Sequence, residues 1–276
     1  MLPSVKRSLD AKSEAAMSQA SILVRREGPA QVIALNRPER RNAISLQMMA
    51  DIIAAVAEAG EDAAVRALVI TGGPDFFSAG ADLTEAAEVR SPADGLRYFG
   101  SLHRLTASLE SCPKPVIAAI EGFCITGGCE LALACDLRVA GEGASFAITS
   151  SRIGTVAGAG GTQRLPRIVG MANALELLFS AEPIGTAEAF RIGLVNRRTE
   201  RGGALREALA MAAVYAERAP LSLAFAKQAV RRGMQMDLAS GLDLEAFMAT
   251  CIYGTDDKRE GISAFLEKRK AAFKGK

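Results

Sequence analysis

Tryptophan is absent from this 276-residue chain, and histidine occurs once, at His103. A single histidine rules out a metal site built on two of them, and nothing around it resembles a Ser/His/Asp or Cys/His arrangement. His103 therefore reads as a helix-surface residue. Charge of one sign is also lacking: 33 Lys and Arg stand against 31 Asp and Glu, a net charge of +2. Without a basic patch or an indole to stack on bases, a nucleic-acid partner is not expected. No run approaches the ~20 apolar residues of a membrane span, and the N-terminus lacks the apolar stretch of a secretory signal. The five cysteines, Cys112, Cys124, Cys129, Cys135 and Cys251, are odd in number and form no CxxC pair. That pattern fits reduced thiols in a soluble, cytoplasmic protein. Neither GxGxxG nor GxxxxGK[ST] occurs, so dinucleotide and P-loop readings fail.

What is present is ordinary in bulk, with 49% apolar and 23% charged residues. Such a chain is long enough for one large domain, or for a domain with an appended helical lobe. Residues 1–20 are polar and unpatterned and read as a loose extension, with Met17 a candidate natural start. Apolar runs of β-branched character follow at Gln31–Leu35, Ala67–Thr71, Pro115–Ile120, Leu137–Ala140 and Gly193–Asn196, each a strand by its pattern. Between them lie helical patterns. Ser45 is an N-cap for a helix to about Glu58, with Leu46, Met49, Ile52, Ile53 and Val56 on one face. Further helices are expected after Asp82, near Gly128, over Asn173–Phe179 and over Thr186–Arg191. The alternation argues an α/β core over 21–201, and the Ala-rich remainder argues a helical C-terminal region over 202–276.

Three glycine-containing turns precede helices: Phe77 to Asp82, Thr126 to Glu130, and Gly158 to Thr162. Glycine there permits positive φ and close approach of a ligand to the main chain, while the helix N-terminus offers unpaired N–H groups and a positive dipole end. Such a turn can serve as an oxyanion site.

The blocks NRPERRNAIS, ALVITGGPDFFSAGADL, KPVIAAIEGFCITGGCELALACDLRVA and GAGGTQRLPRIVG, in that order, resemble successive blocks of the enoyl-CoA hydratase (crotonase) superfamily. The likeness runs from about residue 21 to the ending EGISAFLEKRKAAF. It implies a spiral of ββα units with a C-terminal helical region that builds a homotrimer, often a dimer of trimers. It also implies an acyl-CoA thioester as substrate, with CoA part of that substrate and no metal or redox cofactor. In relatives two peptide N–H groups hold the thioester oxygen, and here they fall on Ala81 and Gly127. The segment GCE gives Glu130 as the catalytic carboxylate. By the same resemblance CoA and acyl contacts fall on Arg41, Ala79, Gly80, Asp82, Leu83, Ser150 and Lys268.

Each residue also has a plainer reading. Gly127 and Gly128 suit a tight turn with close helix packing. Asp82, three residues before Glu85, resembles an acidic capping box. Glu130 in a first helical turn gains from the dipole, although Thr126 is followed at the third residue by Cys129 and forms no capping box. Asp136 reads as a structural hydrogen-bonding residue. Gly158 to Gly161 suit a loop as well as a pocket wall, and Arg40 and Arg41 suit a solvated pair as well as phosphate contacts. Thr84 stands where some hydratases carry a phosphate-binding lysine.

One departure matters for the chemistry. Where hydratases carry Pro-Glu, this chain has Thr149 and Ser150, and a hydroxyl can hold a water but is a poor proton donor near neutral pH. The resemblance still implies an enoyl-CoA hydratase-type lyase. It leaves open a CoA-thioester hydrolase, a carbon–carbon lyase, a decarboxylase, a double-bond isomerase or a weakly catalytic acyl-CoA-binding homologue.

Overall fold

Successive side chains of a strand point to opposite faces, so a strand buried on both sides reads as an unbroken apolar run. In the computed structural model, which describes residues 20–276, β3 (Ala67–Thr71) and β4 (Val116–Ile120) are buried at every position. They lie at the centre of a six-stranded sheet of order β1-β2-β3-β4-β6-β9. Here β1 is Ile22–Glu27, β2 Ala30–Leu35, β6 Leu137–Gly141 and β9 Arg197–Thr199. Only β1 is antiparallel to its neighbour; Val32 pairs with Val69, Val69 with Ile117, and Ala119 with Val139 in the parallel part. The proposed 1–20 extension lies outside the described residues except for Ala20.

Alternation divides the core. Ile33, Leu68, Ile70, Ala118 and Ile120 face one large cluster with α1 (Leu46–Glu61) and α3 (Pro92–Ser111). Helix α1 starts at Ser45, whose side chain accepts from Met48 N–H, and buries Met48, Met49, Ile52 and Val56. Burying such a side chain is worth about 1.5–3 kcal/mol, which outweighs the lower helix propensity of Ile and Val. Val32, Val69, Ile117 and Val139 face the other way, onto α8 (Ala204–Ala216). That helix presents Met211 and the alanines Ala204, Ala208 and Ala212, the latter small enough for close approach to the strands. The buried Glu121, just past β4, accepts from the Ala204 N–H at 3.0 Å and so caps α8 across the fold. The first helix after residue 202 thus covers the sheet, and α9 (Pro220–Gly233), α10 (Leu238–Tyr253) and α11 (Asp256–Leu266) follow it.

A second sheet of order β5-β7-β8 joins β5 (Phe123–Ile125), β7 (Ser145–Ala147) and β8 (Ile184–Gly185). The chain climbs between the sheets in repeated units. After β4 it enters β5 and then α4 (Gly127–Ala134); after β6 it enters β7 and, past a 3-10 turn at Ser150–Ile153, α5 (Gly161–Val169). Ser78 bridges to Cys124, placing the preceding unit beside β5. This is the spiral of ββα units expected from the sequence.

Some details differ from expectation. Gly193–Asn196 is a turn after α7 (Thr186–Arg191), and the edge strand comes immediately after it. Leu194 and Val195 are apolar because the turn is buried, and Arg138 Nε holds the Leu194 carbonyl at 2.7 Å. The helix after Asp82 is the single turn α2 (Leu83–Ala86), and the long α3 follows separately from its own N-cap, Ser91. Asp82 caps α2 through Thr84 N–H, but Glu85 completes no capping box: it accepts from Leu46 N–H at 2.7 Å.

Candidate active site

Two loops meet where β5 ends. Phe77 and Ser78 N–H groups both donate to Phe123 O, and Ile125 N–H donates to Ser78 O at 2.9 Å. The 37–44 segment closes the other side. Ala79 N–H donates to Arg41 O at 3.0 Å, Ile44 N–H to Gly80 O at 2.8 Å, and Asp82 N–H to Ile44 O at 3.0 Å. In this parallel bridge Ile44 binds the residues flanking Ala81, so the N–H of Ala81 itself points to the opposite side. Asn42 and Ser78 brace the turn: Asn42 Nδ2 donates to Gly72 O and Phe77 O, and Ser78 Oγ donates to Asn42 O.

On that opposite side stands Gly127, the first residue of α4, whose N–H lies beyond the reach of the intrahelical ladder. A Cβ on Gly127 would come 2.9 Å from Ala81 N, so glycine is required by the close approach of the two main chains. Neither N–H has a hydrogen-bond partner among the described residues. Thr126 precedes this helix at φ 44°, a costly conformation for a β-branched residue. Its hydroxyl offsets that strain by bonding Thr149 Oγ1 at 2.8 Å and accepting from Thr149 N–H at 3.0 Å. The start of α4 is thereby tied to the turn that carries Ser150.

Glu130 lies one helical turn further on and is 3% exposed. Its Oε1 accepts from Ala159 N–H at 2.7 Å and Gly161 N–H at 2.8 Å, while Oε2 has no hydrogen-bond partner in the protein among the described residues. Burial pushes the carboxyl above its ordinary value, and the two N–H donors and Arg164 pull it only part of the way back. A buried acid with one free oxygen and a raised proton affinity is suited to taking and returning a proton. Ser150 is 5% exposed and its hydroxyl bonds no protein group among the described residues.

The other expected residues divide. Ala79, Gly80, Asp82 and Leu83 all lie on the Ala81 loop, with Ala79 and Leu83 exposed. Asp82 is buried and structural: burial raises its carboxyl, yet the Arg37 guanidinium at 2.9 Å and Thr84 N–H outweigh that and hold it below its usual value. Arg41 is exposed, and its backbone carbonyl binds Ala79. Lys268 sits past α11 with no hydrogen bond or ion pair to these loops among the described residues. His103 is exposed on α3, and Asp136 binds Val116 N–H, Lys227 and Arg231, as a structural residue would. No group of three His, Cys, Asp or Glu placed to hold a metal occurs among the described residues.

Sequence reading passed over several supports. Asn42, Ser78 and the Thr126–Thr149 pair are ordinary polar residues until the loops meet. Tyr98 escaped as well: its hydroxyl is the only buried side-chain polar atom lacking a partner among the described residues. Burial, with Glu85 and Asp82 nearby, pushes that phenol up to about 12.

Paired backbone donors beside a buried carboxylate are an arrangement able to stabilise an oxyanion while moving a proton, as an enzyme site would. Residues 26–276 match the model of the enoyl-CoA hydratase/isomerase family, and the chain belongs to that family. It is 39% identical to a crotonyl-CoA hydratase of Syntrophomonas wolfei over 93% of this chain and 99% of that protein. It is 40% identical to the 2,3-dehydroadipyl-CoA hydratase of Escherichia coli, over 93% of this chain and all of that one. Among solved structures, the enoyl-CoA hydratase of Bacillus anthracis superposes with a TM-score of 0.89 at 35% identity, covering 93% and 100%.

Proposed function

We propose that this protein is an enoyl-CoA hydratase-type lyase that adds water across the 2,3 double bond of an enoyl-CoA. The observation that carries this reading is the convergence of the unpaired Ala81 and Gly127 N–H groups one helical turn from the free oxygen of Glu130. Glu130 Oε2 takes a proton from water as the water oxygen bonds to Cβ. The π electrons move to the thioester oxygen, where the two N–H groups stabilise the enolate, each donor being worth roughly 2.7–4 kcal/mol in tested oxyanion holes. Glu130 then returns its proton to Cα as the carbonyl re-forms, so one water is added and nothing is oxidised. CoA arrives as part of the substrate, and the scheme calls on no metal or redox cofactor. The remaining contacts assigned by resemblance, Arg41 and Lys268 among them, would serve the CoA moiety.

The direct test follows the loss of conjugated enoyl absorbance with crotonyl-CoA, with the 3-hydroxyacyl product identified separately. Free CoA in place of hydroxyacyl-CoA would favour a thioester hydrolase, the second reading that the Ser150 hydroxyl keeps in view. If the missing second carboxylate limits hydration, Ser150→Glu is expected to raise the rate above that of the parent; a lower rate would show that the hydroxyl has its own task.

We also propose a homotrimer or a dimer of trimers in the cytoplasm. Val230, Leu238, Leu242 and Phe247 on α9 and α10 are exposed in the single chain, too much apolar surface for solvent. No helix among the described residues is long and apolar enough to cross a membrane. Sedimentation at micromolar concentration is expected to show three or six copies, and a monomer would count against the assembly.

A further inference from the structure

Arg164 stands in the first turn of α5, where a cation opposes the helix dipole. Its position therefore answers to something other than helix stability. The guanidinium Nε and Nη2 grip both oxygens of Glu110, in the last turn of α3, at 2.7 Å each. Its remaining arm, Nη1, donates to Ala159 O at 2.9 Å. Ala159 N–H is in turn one of the two donors on Glu130 Oε1, and Gly161 N–H is the other. A Cβ on Gly161 would come 3.0 Å from that oxygen, so this loop packs tightly against the carboxylate.

We propose that Arg164, fixed by Glu110, is a positioning residue that clamps the 159–161 loop so that Glu130 is held by one oxygen and presents the other. Only a planar fork can bind both carboxylate oxygens and still reach a carbonyl, so lysine is no substitute. The clamp is anchored in turn, because Glu110 also accepts from Arg231 of α9 at 2.8 Å, and Arg231 binds Asp136 at 2.8 Å. Burial raises the Glu110 carboxyl, and the two arginines more than reverse this, so it stays ionised and keeps its grip. The helix past the sheet thereby braces the loop that aims the acid. The charged groups around Glu130 are Arg164 on α5, with Glu110 on α3 and Arg231 on α9 behind it. Arg164 draws the Glu130 carboxyl down, as do the two N–H groups it secures. Losing the clamp removes both effects, and each loss shifts Glu130 the same way, toward a higher value.

This proposal rests on Glu130 being the reacting carboxylate, and its test separates the two ideas. Arg164→Met and Arg164→Lys are compared with the parent by difference infrared titration of the buried carboxyl, with Glu130→Gln as the spectral reference. In Arg164→Met the midpoint is expected to rise by about one pH unit or more, a tenfold change in proton affinity, with a smaller rise in Arg164→Lys. With crotonyl-CoA, Arg164→Met should lower kcat by about tenfold or more and leave KM within about twofold, the acid limb of kcat moving with the titration midpoint. An unmoved midpoint in either folded variant overturns the proposal, including a case in which melting temperature, kcat and KM all decline together. Should Arg164→Met not fold, Arg164→Lys is read by the same standard. A parent without hydratase activity whose midpoint nevertheless moves in the variants would defeat the hydratase reading and leave the clamp standing.

Discussion

Glu130→Gln is expected to lower turnover of an enoyl-CoA by roughly 100- to 10,000-fold, the usual range for removing a general acid–base group, while leaving acyl-CoA binding nearly intact. Glutamine keeps an oxygen for the Ala159 and Gly161 N–H groups, so the loop should hold its place. The same substitution makes a second, opposite prediction for stability. Burial raises the Glu130 carboxyl in the folded state. A group raised in this way contributes its stability in full below the ordinary carboxylate value and loses it as pH rises through the folded value. Above that folded value the ionised, buried Glu130 therefore costs stability, and there Glu130→Gln should melt at a higher temperature than the parent. In acid, where the parent carboxyl is protonated, that advantage should vanish. Melting curves and steady-state kinetics over one pH series check both. An unchanged turnover would reduce Glu130 to a helix-dipole charge and move the chemistry elsewhere.

Gly127→Ala should be comparably damaging for a different reason. The added methyl would stand 2.9 Å from Ala81 N, in the space where the two donors converge, so it crowds out an oxyanion and displaces one of them. Loss of one such donor typically costs roughly 100- to 1,000-fold in rate. The effect should fall mainly on kcat, because the donors gain most strength when the enolate oxygen carries its charge. Titration calorimetry with a saturated acyl-CoA should still detect binding. Parent-like kcat in Gly127→Ala would mean that the thioester oxygen lies elsewhere.

Much of this was legible in the chain itself. Buried parallel strands announce themselves as apolar runs, and four of the five expected runs are strands. The exception, Gly193–Asn196, shows the limit of the signal, because a buried turn and a buried strand demand the same apolar residues and differ only in where their hydrogen bonds go. Helix α3 was expected only as part of a helix beginning after Asp82, although Ser91, Pro92 and the stripe Tyr98, Leu102, Leu105 and Leu109 mark its separate start in retrospect. Its many outward polar residues had diluted the apolar pattern. Of the site, the glycine turns pointed to exposed backbone donors, but which donors face each other was not readable from local pattern. The family resemblance supplied that pairing as an expectation.

The sequence by itself determined the alternation of strand and helix, the family, and the absence of a second carboxylate at Ser150, since each is a property of residue order. Tertiary structure decided what residue order cannot carry. It brought Ala81 and Gly127 together from loops 46 residues apart. It made Glu121 the cap of a helix 83 residues away, and it turned Ala204–Ala216 from the start of an appended lobe into the second cover of the sheet. It set Arg164 against Glu110 so that the loop holding Glu130 is itself held. The physical reason is common to all of these. A local pattern reports which face of an element must be buried, whereas a hydrogen bond or a close approach between distant loops exists only once the layers have packed.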